Sequence, residues 1–257
     1  MKNLIEKIES LQSVSQALEP NEAGRNLHIK KVMEFAHGFI EGLDNRKTFH
    51  GSAPEKHVFE LKEKPILLDE LLSIFNNEVA NKGINAASGG HLGYIPGGGV
   101  FTASLGDLLA DISNEYTGMN YASPGGVQIE HELSNWMKSI FSYPETAIGN
   151  LTSGGSIANL IALTSARDAY QIKGDKIKKS VIYLSRQTHH CIDKALRIIG
   201  LEDIKIRRIP VDAFSRMDTE ALKKRIHEDL EQGLLPFLIV ASAGTTDTGA
   251  IEPLDAI

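Results

Sequence analysis

The sequence is short of cysteine, of long apolar runs and of excess basic charge, and each shortage closes off a class of protein. Cys191 is the only cysteine among 257 residues. The chain can therefore build neither an intramolecular disulfide nor a cysteine-based zinc site, and it suits a reducing compartment such as the cytoplasm. Aromatic residues make up 6% of the chain. The most apolar run, Leu234 to Ala241, falls far short of the roughly 20 residues that carry a helix across a bilayer. It reads as a buried strand, and no membrane partner is expected. The opening segment Met1 to Ser10 alternates charge with aliphatics and lacks the continuous apolar stretch of a secretory leader. Basic charge is not in excess either: 27 Lys and Arg stand against 33 Asp and Glu, a formal net charge of -6. With the basic residues mixed among acids, no surface is expected that attracts a phosphodiester backbone, so nucleic acid is a poor partner.

What is present is enough apolar material, 42% hydrophobic residues with 23% charged, for one sizeable α/β core with helical decoration. The first third reads as helical. Leu27, Val32, Phe35, Phe39 and Ile40 recur at helix spacing between Pro20 and Leu43, and Leu67 to Val79 repeats the pattern. Between them, Asp44 to Lys64 has no sustained period and reads as a connecting arm. Two glycine-rich loops follow, His91 to Gly99 and Asn120 to Gly126, each leading into a helix. The second of these helices, Val127 to Phe141, carries an apolar stripe of Ile129, Leu133, Trp136, Met137 and Ile140.

From residue 150 onward the pattern changes to alternating helix and strand, which predicts a mostly parallel sheet flanked by helices. Buried strands are expected at Ser180 to Ser185 and Phe237 to Ala241, and a half-buried one at Ile204 to Pro210. Helices are expected from the glycines at 154 and 155 to about Gln171, at Cys191 to Ile199, and at Asp218 to Glu231 with Asp218 as N-cap.

The centre of this half is Asn150-Leu151-Thr152-Ser153-Gly154-Gly155-Ser156, running into Ile157-Ala158-Asn159-Leu160. A helix that opens on glycines leaves its first N–H groups unpaired, adds the positive end of the helix dipole, and removes side chains that block an anion. A phosphate cradle and a simple serine-capped helix both fit this stretch. Two further polar loops, Gln187 to His190 and Gly244 to Asp247, follow strands and belong at the sheet's carboxyl end, where open α/β sheets bind ligands. A phosphate site, a flat imidazole at His189 and the hydroxyls of Thr245 and Thr246 together suit a flat phosphorylated ligand. A P-loop lysine is missing, as is the last glycine of a dinucleotide fingerprint, which disfavours a nucleotide module.

These motifs stand in the order found in one family. Tyr94-Ile95-Pro96-Gly97-Gly98-Gly99, Ser123-Pro124 with Glu130 and Glu132 before Trp136, Thr152-Ser153-Gly154-Gly155-Ser156 with Ala158-Asn159-Leu160, Gln187-Thr188-His189 and Gly244-Thr245-Thr246 resemble the N-terminal part of group II pyridoxal-phosphate-dependent amino acid decarboxylases. The resemblance implies the large domain of the type I aminotransferase fold, incomplete here. It implies a helical dimerisation arm over residues 1–90 and a pyridoxal-phosphate-binding domain over 91–257, in a homodimer that acts on an amino acid. It further implies that Gly154, Gly155 and Ser156 hold the cofactor phosphate, that His189 stacks on the ring and serves catalysis, that Thr246 lies beside the ring, and that Tyr94 and Pro96 line the substrate side. Family members place an Asp for the pyridine nitrogen, and a His-Lys pair whose Lys bonds the cofactor, after the Gly-Thr-Thr turn; the sequence to Ile257 holds neither. Residues 1–257 alone are therefore expected to bind the cofactor weakly and to be inactive. Ile157 stands where many relatives have Glu, and His190-Cys191 replaces a common aromatic-Ser or Ser-Ser pair, which bears on substrate choice. Another enzyme of the same fold, an aminotransferase or different lyase, and a non-catalytic dimerisation partner are the other readings open to the sequence.

Overall fold

The computed structural model describes residues 2–15 and 18–257. The chain divides into two compact units, Met1–Ser104 and Leu105–Ile257.

In the first unit, α1 (Lys2–Ser15) precedes α2 (Glu22–Glu41), whose start is fixed by the Asn21 side chain accepting from the Gly24 N–H at 2.9 Å. The helical pattern after Leu67 forms α3 (Leu68–Ile74), which continues as a wider π-helical turn over Phe75–Ala80. Packing between α2 and α3 uses the aromatic positions expected from periodicity. Phe35 meets Phe75 edge-on at 5.6 Å between ring centres, while the Arg46 guanidinium lies 4.1 Å over the Phe39 ring. The helix at α1 is a finding beyond the sequence reading, as is a short antiparallel pair, β1 (Phe49–His50) with β2 (Gly83–Ile84). Two residues per strand are too few for any periodicity to register.

In the second part of the chain α4 (Phe101–Ser113) is followed by α5 (Pro124–Ile140), with Pro124 at the first helical position, where its missing N–H costs nothing. The apolar stripe of α5 points outward: Ile129 is 65% exposed and Trp136 60%. An amphipathic face is a demand for a partner surface, and the described residues of this unit do not supply one.

The core is built around β3 (Ser180–Ser185), the middle strand of a parallel sheet ordered β4-β3-β5, with β4 (Lys205–Ile209) and β5 (Leu235–Val240) on its two sides. Successive strand residues face opposite ways, and here both ways are covered. Ile182 and Leu184 pack with Leu163 of α6 (Gly155–Ala169) and with Ile192, Ala195 and Leu196 of α8 (Cys191–Ile198); the short α7 (Asp175–Lys179) lies between. Val181 and Tyr183 pack on the other face with Met217 and with Leu222 of α9 (Thr219–Glu231). Every residue of β3 is buried. The register of β5 against β3 slips beside Val181, whose partner is Pro236. A proline has no N–H to give a ladder, so an irregularity there is expected.

Asp218 caps α9 as the sequence predicts, accepting from the Ala221 N–H at 3.0 Å. The same helix delivers a carboxylate into the core. Asp229, fully buried, accepts from Tyr183 Oη at 2.9 Å and from Arg207 at 2.6 Å, joining β3, β4 and α9. Burial alone raises a carboxyl pKa, but the Arg207 and Tyr183 hydrogen bonds outweigh it and hold Asp229 below its usual range. The Tyr183 hydroxyl is pushed well above the phenol range, first by burial and then by the adjacent carboxylate.

A carboxyl whose folded-state pKa lies below its unfolded value stabilises fully above that unfolded value, about 3.9, and ceases to do so as pH falls through the folded one. Asp229→Ala should cost about 2–4 kcal/mol, because it leaves the partly exposed Arg207 guanidinium and the buried Tyr183 hydroxyl without their acceptor. In urea unfolding of wild type and Asp229→Asn, the stability gap should be constant above about pH 5 and close as the solution is acidified. A gap that ignores pH would show that the ionised carboxylate is not what holds these three elements.

Candidate active site

The strand order decides where a site can form. The chain leaves β3 for β4 on one side and later returns as β5 on the other, with α8 and α9 on opposite faces. The carboxyl end of β3 is thus a point where loops part in opposite directions, the kind of place at which open α/β sheets bind ligands.

The first group at this end is the opening turn of α6. Gly154 has φ +149°, a conformation that side chains with a Cβ rarely adopt, and this lets the chain turn directly into the helix. No side chain caps the turn and no acidic residue sits in it. The N–H groups of Ile157 and Ala158 both reach the Gly154 carbonyl at 3.1 Å, whereas those of Gly155 and Ser156 have no acceptor among the described residues. A Cβ placed on Gly155 meets nothing within 4 Å, so the space ahead of the turn is open. Two free N–H groups, an uncompensated dipole end and open space are the parts of an anion cradle. The approach to it is held by Glu130 of α5, which accepts from the Leu151 N–H at 3.1 Å, and by Thr152, whose hydroxyl donates to the Gly154 carbonyl at 3.2 Å.

The second group follows β3. His189 is exposed, and its Nδ1 accepts from the Cys191 N–H at 3.2 Å. With Nδ1 used as an acceptor, the neutral imidazole carries its proton on Nε2. The His190 ring lies 4.1 Å away, tilted by 36°.

The third group follows β5. Its loop is closed at the base by Glu252, whose backbone N–H donates to the Ser242 carbonyl at 3.0 Å and whose Oε2 accepts from the Ser242 N–H at 2.7 Å. Within the loop, Thr245 spends its hydroxyl on Thr248 at 2.7 Å. The half-buried Thr246 hydroxyl makes no hydrogen bond with the described residues. The β3–β5 register sets this loop at the same sheet end as His189.

Asn159 brings the first two groups together, donating to the Gly155 carbonyl at 2.9 Å and to Cys191 Sγ at 3.5 Å. Tyr94 and Pro96 belong to the first unit, on an exposed loop; Tyr94 has φ +64° and its ring lies nearly parallel to His91, 6.5 Å between centres. Sequence reasoning missed Glu252. It is 1% exposed, and among the described residues its Oε1 has no partner; Ser185 Oγ and Thr188 Oγ1, at and beyond the end of β3, are likewise buried without one. The only sequence signal for Glu252 is an acid set between Ile251 and Pro253 just past the Gly-Thr-Thr turn. Among the described residues, no three His, Cys, Asp or Glu side chains cluster as metal ligands, and no helix is long and apolar enough to cross a membrane.

The structure is thus an α/β protein whose parallel sheet carries, at its carboxyl end, a glycine-opened helix, a pinned imidazole and hydroxyls without partners among the described residues. Comparison with known proteins makes this specific. Residues 62–257 match the pyridoxal-dependent decarboxylase conserved domain, and the chain belongs to that family, whose cofactor is pyridoxal 5′-phosphate. An aromatic-L-amino-acid decarboxylase of Bacillus atrophaeus is 39% identical over 188 residues, 73% of this chain and 39% of that protein. A tyrosine decarboxylase of Papaver somniferum is 26% identical over 96% of this chain and 52% of its own length. The fold is that of Catharanthus roseus tryptophan decarboxylase, solved with L-tryptophan: TM-score 0.79 at 23% identity, covering 92% of this chain and 54% of that one. The chain spans about half the length, or less, of the curated relatives it matches.

The unpaired Glu252 oxygen gives a local test of the loop's closure. Replacing Glu252 with Gln keeps its size but makes one end of the group a donor, whereas Ala removes the staple on Ser242. Ala should speed amide exchange at Ser242 and Thr245 about tenfold, Gln less, with β3 amides unaffected. Equal exchange in all three proteins would mean that the loop is held by its antiparallel bridge Ala243–Ile251 alone.

Proposed function

We propose that this chain is the cofactor-binding part of a pyridoxal-phosphate-dependent carboxy-lyase that removes the carboxylate of an amino acid. The observation that carries this reading is the open, uncapped start of α6 beside the pinned His189. Gly154, Gly155 and Ser156 hold the phosphate through the two free N–H groups and the Ser156 hydroxyl. His189 lies flat on the ring, with Nε2–H left to give or hold a proton on the substrate side. The free Thr246 hydroxyl sits beside the ring. The bound cofactor supplies an electron sink for the pair left on Cα when carbon dioxide departs. The names of the relatives favour an aromatic amino acid as substrate. A homodimer in the cytoplasm is part of this proposal, supported by the outward apolar faces of α1 and α5 and by the single cysteine.

In the full-length protein, Gly155→Leu puts its side chain into open space and leaves the fold intact, but covers the free N–H groups. It should weaken pyridoxal phosphate roughly a hundredfold by removing hydrogen bonds to a charged group, and pyridoxal far less. Equal weakening of both would remove the phosphate from α6. His189→Phe should keep more cofactor than activity, since a flat ring survives and the proton carrier does not, while His189→Ala should lose both; unchanged turnover in either would take His189 out of the chemistry.

A further inference from the structure

Three hydrogen bonds run without a break from the phosphate cradle to the imidazole. The Asn159 side-chain amide donates to the Gly155 carbonyl at 2.9 Å and to Cys191 Sγ at 3.5 Å, and the Cys191 N–H donates to His189 Nδ1 at 3.2 Å. An amide nitrogen has two protons, so it serves both acceptors at once. The two ends of this link differ in firmness. Cys191 is the first residue of α8, 6% exposed and packed with Ile182, Leu184 and Leu196 in the core. The α6 opening is exposed, carries two consecutive glycines, and has no side-chain cap. A flexible turn is thereby moored to a rigid one.

We infer that Asn159 is a positioning residue, which sets the separation between the phosphate cradle and the His189 ring by tying Gly155 to Cys191. The inference rests on the roles proposed above for those two groups. Its consequence is specific to a ligand that spans both. Pyridoxal phosphate touches cradle and imidazole together and needs them at one separation. Inorganic phosphate needs only the cradle, and pyridoxal only the ring contacts, so neither senses the link. The buried thiol acts here as a hydrogen-bond acceptor fixed in the core.

The test uses full-length apoprotein and three ligands: pyridoxal phosphate, pyridoxal and inorganic phosphate. Asn159→Ala, and the near-isosteric Asn159→Leu, should weaken pyridoxal phosphate about five- to tenfold while pyridoxal and phosphate stay within about twofold of wild type, the range expected for losing two exposed or half-exposed hydrogen bonds. The circular dichroism induced in the bound cofactor's absorption band should fall in both variants. Cys191→Ala should reproduce this pattern, and Cys191→Ser, whose hydroxyl still accepts, should restore it. Combining Asn159→Ala with Cys191→Ala should be no worse than Asn159→Ala alone, because both break one link. Equal losses for all three ligands, additive effects in the double variant, or a wild-type pattern in both Asn159 variants would overturn the inference. A wild-type protein that binds neither phosphate nor cofactor would overturn the site assignment itself, and this inference with it.

Discussion

A single strand, β3, governs this structure. It is hydrogen-bonded along both edges and covered on both faces, so its backbone has no alternative partner and its side chains have no route to water. Side chains that could meet a ligand must therefore lie beyond its end. The turn after Ser185 delivers His189, α8 begins two residues later, and the neighbouring strand β5 ends alongside and delivers the Thr245–Thr246 loop. The α6 opening joins them because α6 and α8 pack on the same face of the sheet. The placement of the polar loops is a consequence of the parallel topology and needs no separate explanation.

Two buried carboxylates show the same side-chain chemistry fully satisfied in one place and half satisfied in another. Asp229 is surrounded by donors, with Tyr183 and Arg207 filling its oxygens, and its charge is locked into the framework. Glu252 is equally buried but half satisfied, one oxygen on the Ser242 N–H and the other facing no donor. Ser185 Oγ at the end of β3 and Thr188 Oγ1 just beyond it are also buried without a partner among the described residues. A buried polar group without a partner is costly in a framework. Such groups are tolerated where a ligand or a further contact completes them.

The sequence was most legible where one rule dominated. Continuous apolar character marked β3 to the residue, because both faces are buried, and the Asp218 cap and the glycine opening of α6 are local chemistry that needs no tertiary information. It was least legible where the outcome depends on distant partners. β1 and β2 lie far apart in the chain and are too short to show a period. The stripe on α5 correctly signalled an apolar face but said nothing of what covers it. Asn159 and Cys191 are 32 positions apart, and nothing in either segment announces that a thiol will accept from that amide. Glu252 is a similar case, since its role exists only once the loop between Ser242 and Ile251 has closed.

On the proposed reading, the start of α6 would hold the cofactor's phosphate as a dianion. A free phosphate monoester dianion takes up a proton near pH 6. Two backbone N–H groups and the positive helix end should favour the doubly charged form and move that protonation well below pH 6. Phosphorus-31 NMR of the full-length protein with bound pyridoxal phosphate reads this directly. The resonance should stay at the dianion position from pH 8 down to about pH 5.5, and should titrate in Gly155→Leu with any cofactor it retains. A wild-type phosphate that titrates near pH 6, like the free ester, would contradict it.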